Sequence, residues 1–389
     1  MAKVSRKQRG APRVAMLLSN PLAPDPRVSK EAKALADVGF EVTVYAWDRE
    51  CCHAREEQTD GFRIVRVYEP ATYGQAVKQI RPLLRYGRQV RKLLQAERPT
   101  VIHCHDLETL PLGYRIGRSL GATVVFDAHE WCYYGDAQRL RWLLVGAGRA
   151  LERYYSPRCD LIVVTNQYQV EKYRRLGAKK IVQVPNFPIL QQVSPRSSRR
   201  ASGLVVGRIG AVYRDFGVEE SVHAIAALRA KGYDVSLVVS GKTTPDYAAE
   251  LERLARQYPD AFTYTGPYSP EQLGSLYERV DLTLTAWTKR CYMMRHNTPT
   301  KFYESLMFAV PVFSTDVGGV GEMISACRCG LLLDDATPST IERALTWAYD
   351  HKDELEAMGL RGRKAIERQW NWSVSAKRLT EAYCELCQV

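Results

Sequence analysis

Asn297-Thr-Pro-Thr-Lys-Phe-Tyr-Glu-Ser-Leu-Met-Phe-Ala-Val-Pro-Val-Phe-Ser-Thr-Asp316 reads in order as a loop, a helix start, a helix, a turn and a buried strand. A helix of ten or so residues leading into an apolar strand is part of a βαβ unit, and repeated units of this kind build parallel sheets. Working back from this segment, apolar strands are expected at Leu204 to Ile209, Val235 to Ser240, Phe262 to Thr265 and Leu282 to Thr285. Helical patterns at Glu219 to Ala230, Tyr247 to Tyr258 and Pro270 to Glu278 separate them; Val312 to Ser314 closes the sheet, and helices follow Pro338. Further upstream, residues 187–202 break the pattern with prolines, serines and three arginines, which marks a linker. The same alternation fills the first half, with strands at Val14 to Leu18, Glu41 to Trp47, Arg63 to Tyr68, Val101 to His105, Thr123 to Asp127, Leu161 to Thr165 and Ile181 to Pro185. Helices are expected at Val28 to Val38, Val77 to Ala96, Leu110 to Leu120 and Leu140 to Tyr155.

The expected fold is therefore α/β: two Rossmann-like parallel-sheet domains facing across a cleft, with ligands outside the carboxyl ends of the strands. Residues 1–12 form a basic tail, 13–186 the first domain, 187–202 the linker and 203–370 the second domain. A C-terminal helix within 371–389 is expected to cross back to the first domain. A chain of 389 residues suits two cores.

No apolar run is long enough for a membrane span, and the basic start lacks the apolar core of a signal peptide, so a cytoplasmic location is expected. Cysteines are then expected to be free thiols. Cys327 and Cys329 with Cys384 and Cys387 can be read as four zinc ligands, but the C-x-C spacing is atypical and scattered thiols are the simpler reading. Charge is uneven: residues 1–200 carry 34 Lys and Arg against 19 Asp and Glu, and residues 201–389 carry 21 against 24. A basic half points to an anionic surface. It lacks the interleaved aromatics of a base-stacking platform, which argues against nucleic acid. In Lys78 to Arg98, Ile80, Leu83, Leu84, Val90, Leu93 and Leu94 recur at helical spacing beside Arg81, Arg85, Arg88 and Lys92. With the basic tail Lys3 to Arg9 and the stretch Arg139 to Arg153 containing Trp142, this suggests docking on anionic membrane, although a core-packed helix with a solvated arginine face fits the same spacing.

In the opening segment, Thr298 to Thr300 present unpaired N–H groups at a helix start, suited to phosphate. Lys301 adds a charge, and Glu304, one turn in, suits ribose hydroxyls. Taken alone, these residues also fit an ordinary capped helix with Glu304 on its solvated side. His103-x-His105 at a strand end admits a metal-hydrolase reading, but this needs further ligands. The simpler alternative has one histidine inward and one lining the cleft. No Asp-x-Asp occurs, so the carboxylate pair that would hold a divalent ion on a diphosphate is missing, and no metal and no cofactor are expected.

The segment 297–316 resembles the signature of the family 4 glycosyltransferases, whose fold is called GT-B. Gly207-Arg208, Thr265-Gly266-Pro267, Val317-Gly318-Gly319, Pro185-Asn186 and Trp372-Ser373 resemble the same family, as do Asp25-Pro-Arg-Val28 with Glu31, Val101-Ile-His-Cys-His-Asp106 and Phe126-Asp-Ala-His-Glu130. The resemblance implies a retaining transferase that moves a sugar from a nucleoside-diphosphate sugar to a glycan or lipid-linked acceptor, in surface polysaccharide or glycolipid assembly; the missing Asp-x-Asp adds metal independence, and the basic stretches add a peripheral place on the inner face of the plasma membrane. It implies catalytic roles for His129 at the sugar and for Arg208, Arg214 and Lys301 at the diphosphate. Glu304, Asn297, Thr298, Thr300, Gly266 and His296 then serve the donor, and Asp25, Arg27, Asp106 and Glu130 the acceptor side. Where the family has a first glutamate eight residues before Glu304, this chain has His296, and Arg214 lies near the place of the family's lysine. The alternatives are a non-hydrolysing sugar epimerase of the same fold, a His-x-His metal-dependent hydrolase, and a non-catalytic basic binding protein.

Overall fold

The computed structural model describes residues 11–72, 76–129, 140–192 and 203–388. Glu130, Lys3 to Arg9, Arg139, the Trp142 side chain and residues 193–202 lie outside the described residues. The chain divides into unit 1, Met1–Asn186 with Ser375–Val389, and unit 2, Phe187–Val374.

Unit 1 runs β1 (Arg13–Leu18), α1 (Pro26–Asp37), β2 (Glu41–Asp48), β3 (Glu56–Gln58), β4 (Arg63–Tyr68), α2 (Ala76–Glu97), β5 (Val101–His105), α3 (Asp106–Leu120), β6 (Thr123–Ala128), α4 (Leu140–Tyr155), β7 (Leu161–Val164), α5 (Gln167–Arg175) and β8 (Ile181–Gln183). Among the described residues the sheet order is β3-β4-β2-β1-β5-β6-β7-β8, parallel except for the edge strand β3. The order reverses between β1 and β5, so the loops after these two strands border the natural ligand crevice of an open sheet. β5 is buried along its whole length, as expected for a parallel strand covered on both faces. Asp25 caps α1 by accepting from Val28 N, with Pro26 in the first turn, where a missing N–H costs nothing.

Two expectations for this half are corrected. His103 and His105 do not divide between core and surface, because residues two apart on a strand share a face; both are fully buried. The apolar face of α2 is divided instead: Tyr86, Val90 and Leu94 are buried, whereas Ile80 and Leu84 are 50% and 59% exposed beside Arg81, Arg85 and Arg88.

Unit 2 runs β9 (Leu204–Ile209), α6 (Val218–Ala230), β10 (Val235–Ser240), α7 (Pro245–Gln257), β11 (Phe262–Gly266), α8 (Leu273–Glu278), β12 (Leu282–Thr285), α9 (Thr300–Met307), β13 (Val312–Thr315), α10 (Val320–Cys327), β14 (Gly330–Leu333), α11 (Pro338–Asp350) and α12 (Lys352–Arg368). The sheet is parallel, in the order β11-β10-β9-β12-β13-β14, the doubly wound arrangement with its switch point between β9 and β12. The sequence reading ends this sheet at Ser314; β14, short and opened by a glycine, extends it. Finally α13 (Trp372–Cys387) carries the chain back to unit 1, where Ser375 Oγ donates to Pro185 O at 2.8 Å and Tyr383 packs edge-on against Phe40. No helix among the described residues is long and apolar enough to cross a membrane.

Candidate active site

In unit 2 the carboxyl end of β9 carries Arg208, which is 7% exposed. Its guanidinium donates to Leu284 O at 3.3 Å and lies 4.6 Å from the Trp287 ring centre and 5.2 Å from that of Phe216. Among the described residues no carboxylate pairs with it. Burial pulls its pKa down to about 10, which still leaves it cationic at neutral pH. A buried charge is normally paired, so a lone guanidinium at a strand's carboxyl end is suited to a ligand that brings its own negative charge.

Lys301, in the first turn of α9, reaches Glu304 Oε2 at 2.7 Å and Tyr268 Oη at 3.2 Å. Burial lowers the Lys301 pKa, but Glu304 and Tyr268 reverse this and leave it raised. Lys301 and Glu304 therefore form one ion pair rather than two independent contacts. The loop after β9 runs alongside: Gly210 has φ +127°, and a Cβ there would sit 2.7 Å from Lys301 Cε. The approach to α9 is clasped by the loop after β13. Thr298 Oγ1 donates to Gly318 O at 2.5 Å, and a Cβ on Gly318 would lie 2.4 Å from the Asn297 carbonyl. His296, Asn297, Thr298 and Thr300 are half-buried along this approach, and Gly266 ends β11 with φ +76° and open space around it.

Arg214 has Tyr247 and Glu219 as electrostatic neighbours, as Arg208 does, but lies on the surface. Its side chain is 61% exposed, pairs with Glu250 at 2.5 Å, and lies over the Tyr247 ring; the Glu250 hydrogen bond raises its pKa. Phe216 and Trp287 flank Arg208. Sequence reasoning missed Phe216 and Trp287 because a cation flanked by aromatics leaves no fixed spacing to read.

In unit 1 a charged network lies at the carboxyl ends of β5 and β6. Asp127 faces His105 across the two strands by register. Its Oδ2 accepts from Arg27 Nε at 3.1 Å and lies 3.2 Å from both His105 Nδ1 and His129 Nδ1, while Oδ1 accepts from Arg27 Nη2 at 2.9 Å. Arg27 also contacts Glu31 at 2.9 Å and donates to Val184 O at 3.1 Å. His129 Nε2 lies 3.1 Å from Asp106 Oδ2, so both its ring nitrogens face carboxylates. Burial lowers the His129 pKa, but Asp106 and Asp127 outweigh it and hold the ring well above the usual histidine range. Burial raises Asp127, but Arg27 and His129 win and hold it well below the usual carboxylate range. Burial lifts Glu31 to about 7 and depresses His103. Asp106 takes a left-handed backbone, φ +61°, at the junction of β5 and α3, a costly conformation of the kind found at ligand sites.

One acceptor-side expectation is thereby corrected. Arg27 is interior, 4% exposed and bound to Asp127, and cannot meet an acceptor. Asp25 caps α1 and accepts from Asn20 Nδ2 at 2.9 Å. Of that group Asp106 lies on the rim beside His129, with 22% and 13% of their side chains exposed, and Asp25, half-buried, stands in the loop after β1 on the same border. Glu31 and Asp127 stand in the quoted motifs, yet their joint role shows only once α1, β5 and β6 are side by side.

The sequence profile of the "Glycosyl transferase 4-like domain" matches residues 24–186, and that of "Glycosyl transferases group 1" matches 192–365. The chain belongs to the family 4 glycosyltransferases. Among curated relatives of this family, the GDP-mannose-dependent alpha-(1-6)-phosphatidylinositol monomannoside mannosyltransferase of Mycobacterium tuberculosis is 25% identical over 42% of this chain and 43% of its own length. The corresponding dimannoside mannosyltransferase of the same species is 30% identical over 45% and 48%. The chain thus spans less than half the length of these matched relatives. The solved sucrose-phosphate synthase of Thermosynechococcus elongatus superposes with a TM-score of 0.78 at 16% identity, covering 97% of this chain and 99% of that one, which identifies the GT-B fold.

Proposed function

We propose that this glycosyltransferase uses a nucleoside-diphosphate sugar and transfers the sugar, with retention of anomeric configuration, to a lipid-linked or glycan acceptor at an anionic membrane surface. The observation that carries the donor half is Arg208, a buried cation with no carboxylate partner among the described residues. It supports a diphosphate held at the carboxyl ends of β9 and β12, with Lys301, the N–H groups of Thr298 and Thr300, and the approach through His296 and Asn297 adding polar contacts. Glu304 accepts from ribose hydroxyls in this reading, with Lys301 shared between it and the phosphate. Gly266 leaves space beside the nucleotide. Arg214, over the Tyr247 ring that also neighbours Arg208, adds a second positive charge for the diphosphate in this reading.

The chemistry that suits a cationic, pre-formed diphosphate site is front-face substitution. The bond from C1 to the phosphate oxygen breaks with its electron pair leaving on the diphosphate, and an oxocarbenium-like sugar forms. The acceptor oxygen then bonds to C1 on the same face while its proton passes to the departing phosphate oxygen. Basic groups stabilise that leaving charge, so no divalent ion on the donor is part of this mechanism. His129, held as a cation by Asp127 and Asp106, suits hydrogen bonding to sugar hydroxyls rather than proton abstraction, and Asp106 suits orientation of the acceptor hydroxyl.

The relatives named above act on phosphatidylinositol mannosides, which supports a lipid-linked acceptor. Exposed Ile80 and Leu84 beside Arg81, Arg85 and Arg88 on α2, and exposed Leu151 and Tyr154 beside Arg149 and Arg153 on α4, support peripheral docking at the cytoplasmic face. Thermal-shift screening of nucleotide sugars, with and without magnesium, tests the donor half: at least one should raise Tm by several degrees without added metal. No response to any member, in either condition, removes it.

A further inference from the structure

Buried polar atoms are nearly always satisfied, yet several in unit 1 are not: among them Glu31 Oε2, His103 Nε2 and His105 Nε2 make no hydrogen bond, while Glu31 Oε1 meets the Arg27 guanidinium at 2.9 Å. They are not scattered. Glu31, His103, His105 and Asp127 are all fully buried, and each contributes a ligand atom to a group lying within 4.8 Å of one another. We propose that Glu31, His103 and His105 bind a divalent transition-metal ion, zinc by preference, in the interior of unit 1.

The partners of the other ring nitrogens carry the argument. His103 Nδ1 lies 2.6 Å from Tyr383 Oη, and His105 Nδ1 lies 3.2 Å from Asp127 Oδ2. Metal-binding histidines are usually held this way, one nitrogen donating to an outer partner so that the other presents a bare lone pair to the ion. His103 Nε2 lies 3.8 Å from Glu31 Oε2 and 3.9 Å from Asp127 Oδ2. Ligands of a tetrahedral zinc with bonds of about 2.0–2.1 Å sit about 3.4 Å apart, so His103 and Glu31 need to close by about 0.4 Å and the rest of the group, within 4.8 Å, by about 1.4 Å at most. Asp127 stays outside the ion's shell, because Arg27, His105 and His129 already occupy its oxygens. Arg27 is shared between Asp127 and Glu31 Oε1, and the ion meets the charge on the free Glu31 Oε2. Two imidazoles and one carboxylate form a donor set that suits zinc, with water completing the shell.

The other cluster of possible ligands, Asp48, Cys52 and His53, lacks this signature. Asp48 already accepts from the Glu50, Cys51 and His53 backbone N–H groups. The proposed ion lies within unit 1 and does not depend on the donor reading of unit 2. It would pin α1 to β5 and, through Tyr383, hold α13 on this unit. The His-x-His pair lacked further ligands in the sequence reading; here Glu31 supplies the third.

The test is metal analysis of tag-free, full-length protein grown with zinc. Wild type should retain about one zinc per chain after dialysis. Glu31→Gln and His105→Gln should fall at least about tenfold in zinc content with unchanged circular dichroism, while His53→Gln keeps the wild-type content. Wild type stripped with dipicolinate and refilled with Co2+ should show a visible ligand-field band, and zinc should raise the Tm of the stripped protein. Folded wild type with neither zinc nor a cobalt band overturns the proposal, as do variants that keep full zinc. If the variants fail to fold, the wild-type zinc content and cobalt spectrum decide alone.

Discussion

Replacing Arg208 with methionine keeps a long stem against Phe216 and Trp287 and removes the charge. Burial holds the Arg208 pKa at about 10 against 12.5 for an exposed arginine. At about 1.4 kcal/mol per pKa unit, keeping the ion inside the ligand-free fold costs about 3 kcal/mol at neutral pH. The sign follows from the depression: the cost is complete below the folded pKa and fades only as pH rises through it. Two ring contacts, at about 0.5–1 kcal/mol each, offset part of this. Arg208→Met should therefore stabilise the free protein by about 1–2 kcal/mol, which for a unit of this size raises Tm by roughly 2–8 °C. The same substitution removes charge-assisted bonds to phosphate, so nucleoside-diphosphate affinity should fall by about one to two decades. Calorimetric melting and titration of the same samples read both effects. A variant that melts lower and binds nucleotide as wild type does would refute the reasoning.

Glu304→Ala should weaken nucleotide-sugar binding by about 1.5–3 kcal/mol with the fold intact, read by titration calorimetry and circular dichroism; since it also frees Lys301, unchanged affinity for the nucleotide sugar would remove the ribose role. Asp127→Asn strips Arg27 and His129 of their common carboxylate in the interior and should cost about 3–5 kcal/mol in urea unfolding. The protein should sediment with phosphatidylglycerol vesicles and not with neutral ones, and less at high salt. Ile80→Ser with Leu84→Ser should reduce that binding without lowering stability, because both side chains are exposed; equal binding to both vesicle types would leave a soluble acceptor.

The parallel sheets were legible because strands buried on both faces, such as Val101 to His105, are short apolar runs bounded by helical patterns. β3 was not, because Glu56, Glu57 and Gln58 are polar and exposed and owe their pairing to β4 alone. β14 escaped for another reason: Gly330 opens it, and its glycine is required because a Cβ would meet Val312 O at 1.8 Å. At the site, the quoted motifs located His129, Arg208 and Lys301, but not their partners. That Arg27 turns inward to Asp127, 100 positions away, is a tertiary fact with no local spacing behind it. The same holds for Tyr383 on His103, and for Phe216 and Trp287 beside Arg208.

The most direct test of the central claim is to follow each member of a nucleotide-sugar panel with the full-length protein by proton NMR, without added metal and with water as the slow acceptor. The account predicts that one donor is cleaved to a nucleoside diphosphate and a sugar released first in the donor's own anomeric form, and that Arg208→Met abolishes this. Release of the opposite anomer would contradict retention, and no cleavage or binding of any member would contradict the donor assignment itself.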